Sequence, residues 1–247
     1  MAQVPEDQWI DIDGLEFHCR DWGGTGQPIV LLHGLASTSH IWNQVAPILS
    51  ESFRVLALDQ RRHGQSAKPD TGYDFATVAD DLLGLIKARG LSNPIIVGHS
   101  WGGDVALEFA VKYPDLARGL GFVDGGMIDA SVRHPSLAVA KEEMAPPIFR
   151  GVTVDQFRER IRSRHHDPPL TPEFEAAVLA NFEVLEDQTI RAWLSRDNHL
   201  RIIEALWDHH PYELYPQVQC PVLIMPARRS NDAARARLSS RRRACGT

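Results

Sequence analysis

The feature that most constrains this chain is a glycine-flanked serine between a short apolar run and a helix-like segment. The apolar run Pro94–Val97 leads into Gly98-His99-Ser100-Trp101-Gly102-Gly103, and residues 104–110 have the composition of a helix. Glycines on both sides of the serine predict a sharp turn from strand to helix, because they let the backbone bend and the two elements approach closely. Such a turn exposes the Ser100 hydroxyl above a sheet, which makes Ser100 the candidate nucleophile.

Short apolar runs alternate with helix-like segments through the first half of the chain. The predicted strands are residues 28–32, 53–58, 94–97 and 119–123, and the predicted helices between them are residues 42–49 and 75–86. This alternation predicts an α/β fold with a mainly parallel sheet and helices on both faces. Sites in such sheets form at the carboxyl ends of the strands, where His33, Asp59, Ser100 and Asp124 are found.

The remaining segments predict how the chain is divided. Asp13-Gly14 favours a hairpin before the parallel strands. Residues 127–194 are polar and helical, with helices predicted at residues 154–164 and 174–185 and with Thr171 as the cap of the second before Pro172. A helix around residues 200–207 and a strand at Val222–Met225 follow. We therefore expect a first core part (1–126), a helical lid (127–195), a second core part (196–232) and an irregular basic tail (233–247).

Composition excludes several classes of protein. The chain has 247 residues, of which 43% are hydrophobic, and a net charge of −6, so it can bury a core and has no overall attraction to nucleic acid or anionic membranes. The start at Met1 has no signal-peptide character, and no apolar run has the length of a membrane span, so a cytoplasmic protein is expected. The three cysteines fit neither a disulfide framework nor a zinc site. We expect a small-molecule substrate and no metal.

Three motifs together resemble the α/β-hydrolase fold family, in its branch of lidded esterases, lactonases and carbon–carbon hydrolases. They are His33-Gly34-Leu35, residues 59–66 (DQRRHGQS) and residues 98–103, and the resemblance covers roughly residues 28–125. It implies that Ser100 attacks a carbonyl carbon, that the backbone N–H groups of Leu35 and Trp101 form the oxyanion hole, and that an acyl-enzyme is hydrolysed without a cofactor. Preorganised donors of this kind contribute about 3 kcal/mol each to transition-state binding.

Within the family, the residue at the nucleophile position distinguishes between related activities. Epoxide hydrolases and haloalkane dehalogenases resemble this chain but carry an aspartate at the nucleophile position, so Ser100 argues against both. A cofactor-free haloperoxidase would use the same serine. The family pattern gives His33 a supporting role for the oxyanion loop, and Asp59 with residues 61–66 is interpreted as a structural turn.

Two aspartates are candidates for the acid of a catalytic triad. Asp232 follows the strand after the lid, where most of the family carry the acid, but the arginines and spacing around it depart from the usual turn. Asp124 directly follows the strand before the lid, where other members carry it. We favour Asp124, and Asp232 remains the alternative.

The histidine base expected of the family is not found. The family carries it after the last strand, whereas the last histidines here are His209 and His210, and residues 226–247 contain none. Residues 228–243 contain seven arginines and one carboxylate, which we interpret as a frame-shifted end lacking the last strand and helix, rather than a basic tail that binds a partner. His209 or His210 could replace the missing base and keep the hydrolase active. The alternatives to an active hydrolase are an impaired enzyme or a binding module.

Overall fold

The computed structural model describes residues 4–164 and 170–227, and a seven-stranded sheet forms the centre of this part of the chain. The strands are β1 (Glu6–Ile12), β2 (Leu15–Gly23), β3 (Pro28–Leu32), β4 (Arg54–Leu58), β5 (Ile95–His99), β6 (Gly119–Val123), β7 (Phe182–Val184), β8 (Ile190–Ala192) and β9 (Val222–Met225). The sheet order is β1-β2-β4-β3-β5-β6-β9, with β7 and β8 forming a separate pair.

Helices cover the sheet and form the region above it. They are α1 (Ala46–Leu49), α2 (Phe75–Ala88), α3 (Trp101–Lys112), α4 (Ala130–Arg133), α5 (Leu137–Glu143), α6 (Val154–Arg164), α7 (Pro172–Leu179), α8 (Arg196–Asp208) and α9 (Pro211–Leu214), with short 3₁₀ helices at Ser39–Trp42 and Tyr215–Gln217. None of the described helices combines the length and apolar character that a membrane-spanning segment needs.

The sheet is mostly parallel, as predicted. β1 and β2 pair antiparallel through the Asp13-Gly14 turn, where both residues have positive φ, and β2 pairs antiparallel with β4. β4, β3, β5, β6 and β9 all run in the same direction. The carboxyl ends of these five strands therefore meet at one edge, which brings the candidate residues together.

Alternation along the buried strands builds a core on each face of the sheet. In β3, Val30 and Leu32 pack with the cluster that contains α2 and α3, whereas Ile29 and Leu31 pack with Trp22 on the opposite face. Successive strand residues point to opposite faces, so a continuous apolar run is the expected sequence of a strand covered on both sides. The predicted architecture is confirmed.

The predicted lid contains helices and a small hairpin. α6 and α7 lie where the sequence predicts them, and the Thr171 hydroxyl accepts a hydrogen bond from the Phe174 amide, as expected of a cap. The helix predicted through residue 185 instead ends at Leu179, and β7 pairs antiparallel with β8. Asp187 shapes the hairpin turn, because its carboxylate accepts from both the amide and the hydroxyl of Thr189.

β9 is the outermost strand of the described sheet, and its apolar side chains are exposed. The exposed fractions are 37% for Val222, 60% for Leu223, 45% for Ile224 and 39% for Met225. The opposite edge strand, β1, carries charged residues among its apolar ones. Charged side chains protect a sheet edge from pairing with other chains, and β9 lacks this protection.

We expect the protein to self-associate through β9, and the double substitution Leu223→Lys with Ile224→Lys to reduce that association. Sedimentation velocity over a range of protein concentrations would measure it. Val132→Lys provides the control, because Val132 is also exposed but lies in the short helix α4. A wild-type protein that is monomeric and unfolds cooperatively would contradict the prediction.

Candidate active site

Ser100 lies in a tight turn between β5 and α3. Its backbone has φ 49° and ψ −125°, a conformation that L-residues rarely adopt and that costs about 1–3 kcal/mol. The Ser100 amide donates to the Val123 carbonyl at 2.9 Å, and the Ser100 carbonyl accepts from the Gly103 amide at 2.8 Å, so neighbouring backbone holds the turn in place. Strain maintained in this way is typical of a functional position.

Glycine is required on both sides of Ser100 because backbone segments approach closely there and leave no room for a side chain. A Cβ atom on Gly98 would lie 2.1 Å from the Gly102 carbonyl oxygen, and one on Gly102 would lie 2.5 Å from the carbonyl oxygen of His33. The glycine spacing therefore reflects strand and helix packed at a distance that side chains would prevent.

The Ser100 side chain is half-buried, and its hydroxyl makes no hydrogen bond with any other described residue. A hydroxyl in a strained turn with no structural partner is free to react with, or bind, a small molecule. The structure thus places Ser100 as the sequence predicts.

The two predicted oxyanion donors flank Ser100. Trp101 is the first residue of α3, a position whose amide has no partner within the helix. Leu35 follows Gly34 in the turn after β3, and a Cβ atom on Gly34 would lie 3.1 Å from the Ser100 Cβ. In the described part of the chain, neither the Leu35 nor the Trp101 amide donates a hydrogen bond. The structure therefore brings together Ser100 and two unpaired N–H groups.

His33 holds the turn that carries Leu35. Its Nδ1 donates to the Gly34 carbonyl at 2.8 Å, its Nε2 accepts from the Gln60 amide at 3.0 Å, and the Gln60 side chain donates to the His33 carbonyl at 2.7 Å. Complete burial lowers the pKa of His33 below its ordinary value, so the ring is neutral and Nε2 remains an acceptor. These bonds agree with the supporting role that the resemblance implies.

His63 is a residue that the sequence analysis did not single out. Its Nε2 accepts from the Ala36 amide at 3.2 Å, and its ring stacks on the Trp101 indole at 5.3 Å between centroids. Burial lowers the pKa of His63 well below its ordinary value, so it also remains a neutral acceptor. His63 therefore contacts both the turn after β3 and Trp101. Its position inside the DQRRHGQS motif was the available signal.

The Asp59 carboxylate forms hydrogen bonds with several segments that pack beside this turn. Its carboxylate accepts from the Ser39 amide at 2.7 Å and the Gln65 amide at 3.2 Å, and lies 2.8 Å from His18 Nδ1. Asp59 is 1% exposed, so the carboxylate is removed from solvent. These contacts agree with the interpretation of Asp59 as a structural residue.

Asp124 lies at the next strand end along the edge. It has φ 47°, its amide donates to the Met225 carbonyl at 2.9 Å, and its carboxylate accepts from the Ala227 amide at 3.3 Å. The side chain is exposed, and it makes no hydrogen bond or ion pair with a histidine within the described residues. Asp232, the alternative acid, lies outside the described residues, as does the predicted basic tail.

His209 and His210 make their described contacts with residues other than Ser100. His209 stacks on Phe75 at 3.9 Å between ring centroids, and its Nε2 lies 3.8 Å from the Asp104 carboxylate on α3. Burial lowers the pKa of His209 to about 4, whereas burial raises the pKa of Asp104 to about 7. His210 Nδ1 lies 3.4 Å from the Asp129 carboxylate. Neither ring contacts Ser100, so these contacts do not support rescue.

A cavity of about 830 Å³ lies beneath the lid, next to the oxyanion turn. Ala36 is the part of that turn that lines it, and Ser100 does not line it. Within the described residues, no group of three or more histidine, cysteine or carboxylate side chains is arranged to hold a metal ion. Through Ala36, the cavity borders the turn that follows β3.

Comparison with known protein families and proteins shows what this chain is similar to. The model of the alpha/beta hydrolase fold matches residues 27–179. Among curated proteins, the chain is 38% identical over 127 residues to 2-(acetamidomethylene)succinate hydrolase of Mesorhizobium japonicum, covering 50% of this chain and 45% of that protein. It is 41% identical over 114 residues to soluble epoxide hydrolase of Corynebacterium sp., covering 45% and 40%. The matched segment therefore spans less than half the length of these relatives.

Solved structures extend the likeness beyond the matched segment. The crystal structure of E-2-(acetamidomethylene)succinate hydrolase superposes with a TM-score of 0.76 and 26% identity, covering 96% of this chain and 87% of that one. An esterase from Exiguobacterium antarcticum superposes with a TM-score of 0.66 and 23% identity, covering 89% and 80%, which is a likeness of fold.

Proposed function

Because the chain belongs to the α/β-hydrolase fold family, we propose that it is a serine hydrolase that acts on a small ester, lactone or related carbonyl compound. Its relatives include proteins named as hydrolases of several kinds. The observation that carries the proposal is the Ser100 hydroxyl in a strained turn beside the amides of Leu35 and Trp101, none of which has a hydrogen-bond partner among residues 4–164 and 170–227.

The proposed reaction has two steps and consumes one water molecule. The Ser100 oxygen bonds to the carbonyl carbon and its proton passes to a base, while negative charge on the carbonyl oxygen is stabilised by the Leu35 and Trp101 amides. The intermediate collapses to acyl-serine as the alcohol leaves with a proton. Water then attacks the acyl group, releases the carboxylic acid and restores the Ser100 hydroxyl.

The proposed reaction needs a base to take the Ser100 proton. An unactivated serine is a poor nucleophile at neutral pH. Among the described residues, no histidine ring forms a hydrogen bond with the Ser100 hydroxyl, and His209 and His210 contact other residues. The alternative is an impaired enzyme or binding module that keeps the cleft. Asp124 is the proposed acid, with Asp232 as the alternative, and each would act through a histidine that this chain does not carry after His210.

Reaction with a fluorophosphonate probe distinguishes these functions. We expect slow labelling confined to Ser100, located by mass spectrometry of peptides, and none in Ser100→Ala. Hydrolysis of p-nitrophenyl acetate should exceed the uncatalysed rate by about 10³–10⁴, the residual catalysis that an oxyanion hole provides without a complete triad.

The histidine variants complete the test. His209→Asn and His210→Asn should leave the labelling rate unchanged, because neither side chain contacts Ser100. A tenfold loss in either variant would show that the histidine acts as the base. No labelling of the wild-type protein after prolonged exposure would contradict the hydrolase proposal and support the binding module.

A further inference from the structure

The cavity beneath the lid has the size and lining of a small-molecule site. Its volume of about 830 Å³ falls within the range of ligand pockets. Most of its wall is apolar and includes Ala36, Phe149, Phe157, Phe182, Ile190 and Ala192. A ligand that fills it must therefore have an apolar body.

The charged side chains in the wall are all positive. Arg150, Arg191 and Arg196 line the cavity, and no aspartate or glutamate does. Arg191 donates from Nε to the Glu183 carboxylate at 2.8 Å, and Arg196 donates from Nη1 to the Pro146 carbonyl at 2.8 Å. Arg150 makes no hydrogen bond or ion pair with any described residue, so its guanidinium is available to a ligand.

The cavity is connected to the turn beside Ser100. Ala36 contributes to both, and Asn181 in the cavity wall accepts a hydrogen bond from the Thr38 hydroxyl at 3.3 Å. The lid is thus fixed to the same loop that presents the Leu35 amide. A molecule in the cavity would lie against the oxyanion turn.

We propose that this cavity binds a small carboxylate with an apolar body and that Arg150 holds the carboxylate. A guanidinium presents paired N–H donors that match the two oxygens of a carboxylate. Arg150 is exposed to solvent and also lines the cavity, so these donors are accessible to a ligand that enters it. The assignment deepens the proposed function by naming its substrate class, a carbonyl compound that also carries a carboxylate. Binding itself does not require catalysis.

Binding of 4-phenylbutyrate and of its neutral analogue 4-phenylbutyramide tests the proposal by isothermal titration calorimetry. The wild-type protein should bind the carboxylate about tenfold or more tightly than the amide, as expected when a hydrogen bond to a charged group is gained. Arg150→Gln should remove this preference. Arg118→Gln should retain it, because Arg118 is an exposed arginine outside the cavity wall.

Two further variants locate the site and separate it from catalysis. Ala192→Trp should abolish binding of both ligands, because a large side chain at that position fills the cavity. Ser100→Ala should bind as the wild type does, so failed labelling of Ser100 would leave this proposal intact. Equal affinity for acid and amide, or a preference that survives in Arg150→Gln, would overturn it.

Discussion

Replacing Asp59 with asparagine should lower the free energy of unfolding by about 3–5 kcal/mol, the usual cost of breaking a buried charged pair. The Asp59 carboxylate is buried and receives the Ser39 and Gln65 amides and the His18 ring. Asparagine has nearly the same shape but presents an NH₂ group to one set of these donors. Buried N–H groups would then face each other without an acceptor.

The stability that Asp59→Asn loses should depend on pH, and the pKa shifts of Asp59 and His18 determine the direction of that dependence. Burial acts to raise the pKa of Asp59, but the hydrogen bond from His18, the charge on His18 and the hydrogen bond from the Ser39 amide hold it well below its ordinary value. Burial acts to lower the pKa of His18, but its hydrogen bond and attraction to Asp59 give a net increase. Asp59 therefore stabilises the fold above its unfolded pKa of about 4, and this contribution is lost as pH falls through the folded pKa.

His18 sets the upper limit of the pH range in which this stabilisation is present. Because its folded pKa is raised, its contribution is fully present below the unfolded value of about 6.5 and is lost as pH rises through the folded value. The difference in stability between wild type and Asp59→Asn should thus be largest between about pH 4 and pH 6.5.

Urea unfolding at a series of pH values would measure this difference. Asp70→Asn is the matched control, since Asp70 lies on the same segment after β4 but has a fully exposed side chain, and it should change stability little at any pH. An Asp59→Asn protein that is as stable as Asp70→Asn would show that the buried network is not what holds this region.

The sequence predicts the sheet well because its signals are local. Continuous apolar runs define β3 and β6 at the bounds that the structure gives, and Asp13-Gly14 fixes the first hairpin. The glycines around Ser100 likewise act over a few residues. Each of these features depends on backbone geometry that neighbouring residues determine.

The hairpin in the predicted lid and the hydrogen bonds around the turn after β3 were less predictable, because they depend on contacts between distant residues. Phe182 and Val184 alternate over only three residues, too short a pattern to indicate a strand without its partner β8. The predicted helix at residues 42–49 divides into a 3₁₀ turn and the short α1. The bond from Ala36 to His63 joins residues 27 positions apart, and spacing alone does not reveal it.

Replacing Gly102 with alanine should destabilise the protein by about 3 kcal/mol, although helix propensity alone would favour alanine by about 1 kcal/mol. Gly102 lies in the first turn of α3, and an added Cβ would meet the carbonyl oxygens of His33 and Leu32 at 2.5 and 2.7 Å. Both are backbone atoms at the end of β3, so relief requires α3 to move away from the strand. That movement separates the Trp101 amide from the Leu35 turn.

Gly119→Ala provides the matched control for this substitution. Gly119 lies in β6, and its added Cβ would have one neighbour within 4 Å, the Pro221 carbonyl oxygen at 3.3 Å. Urea unfolding of both variants should show a large loss for Gly102→Ala and little change for Gly119→Ala, with Ser100 labelling lost in the first. A Gly102→Ala protein as stable as the wild type would mean that α3 has room to shift, and that close packing at the turn does not determine the position of Ser100.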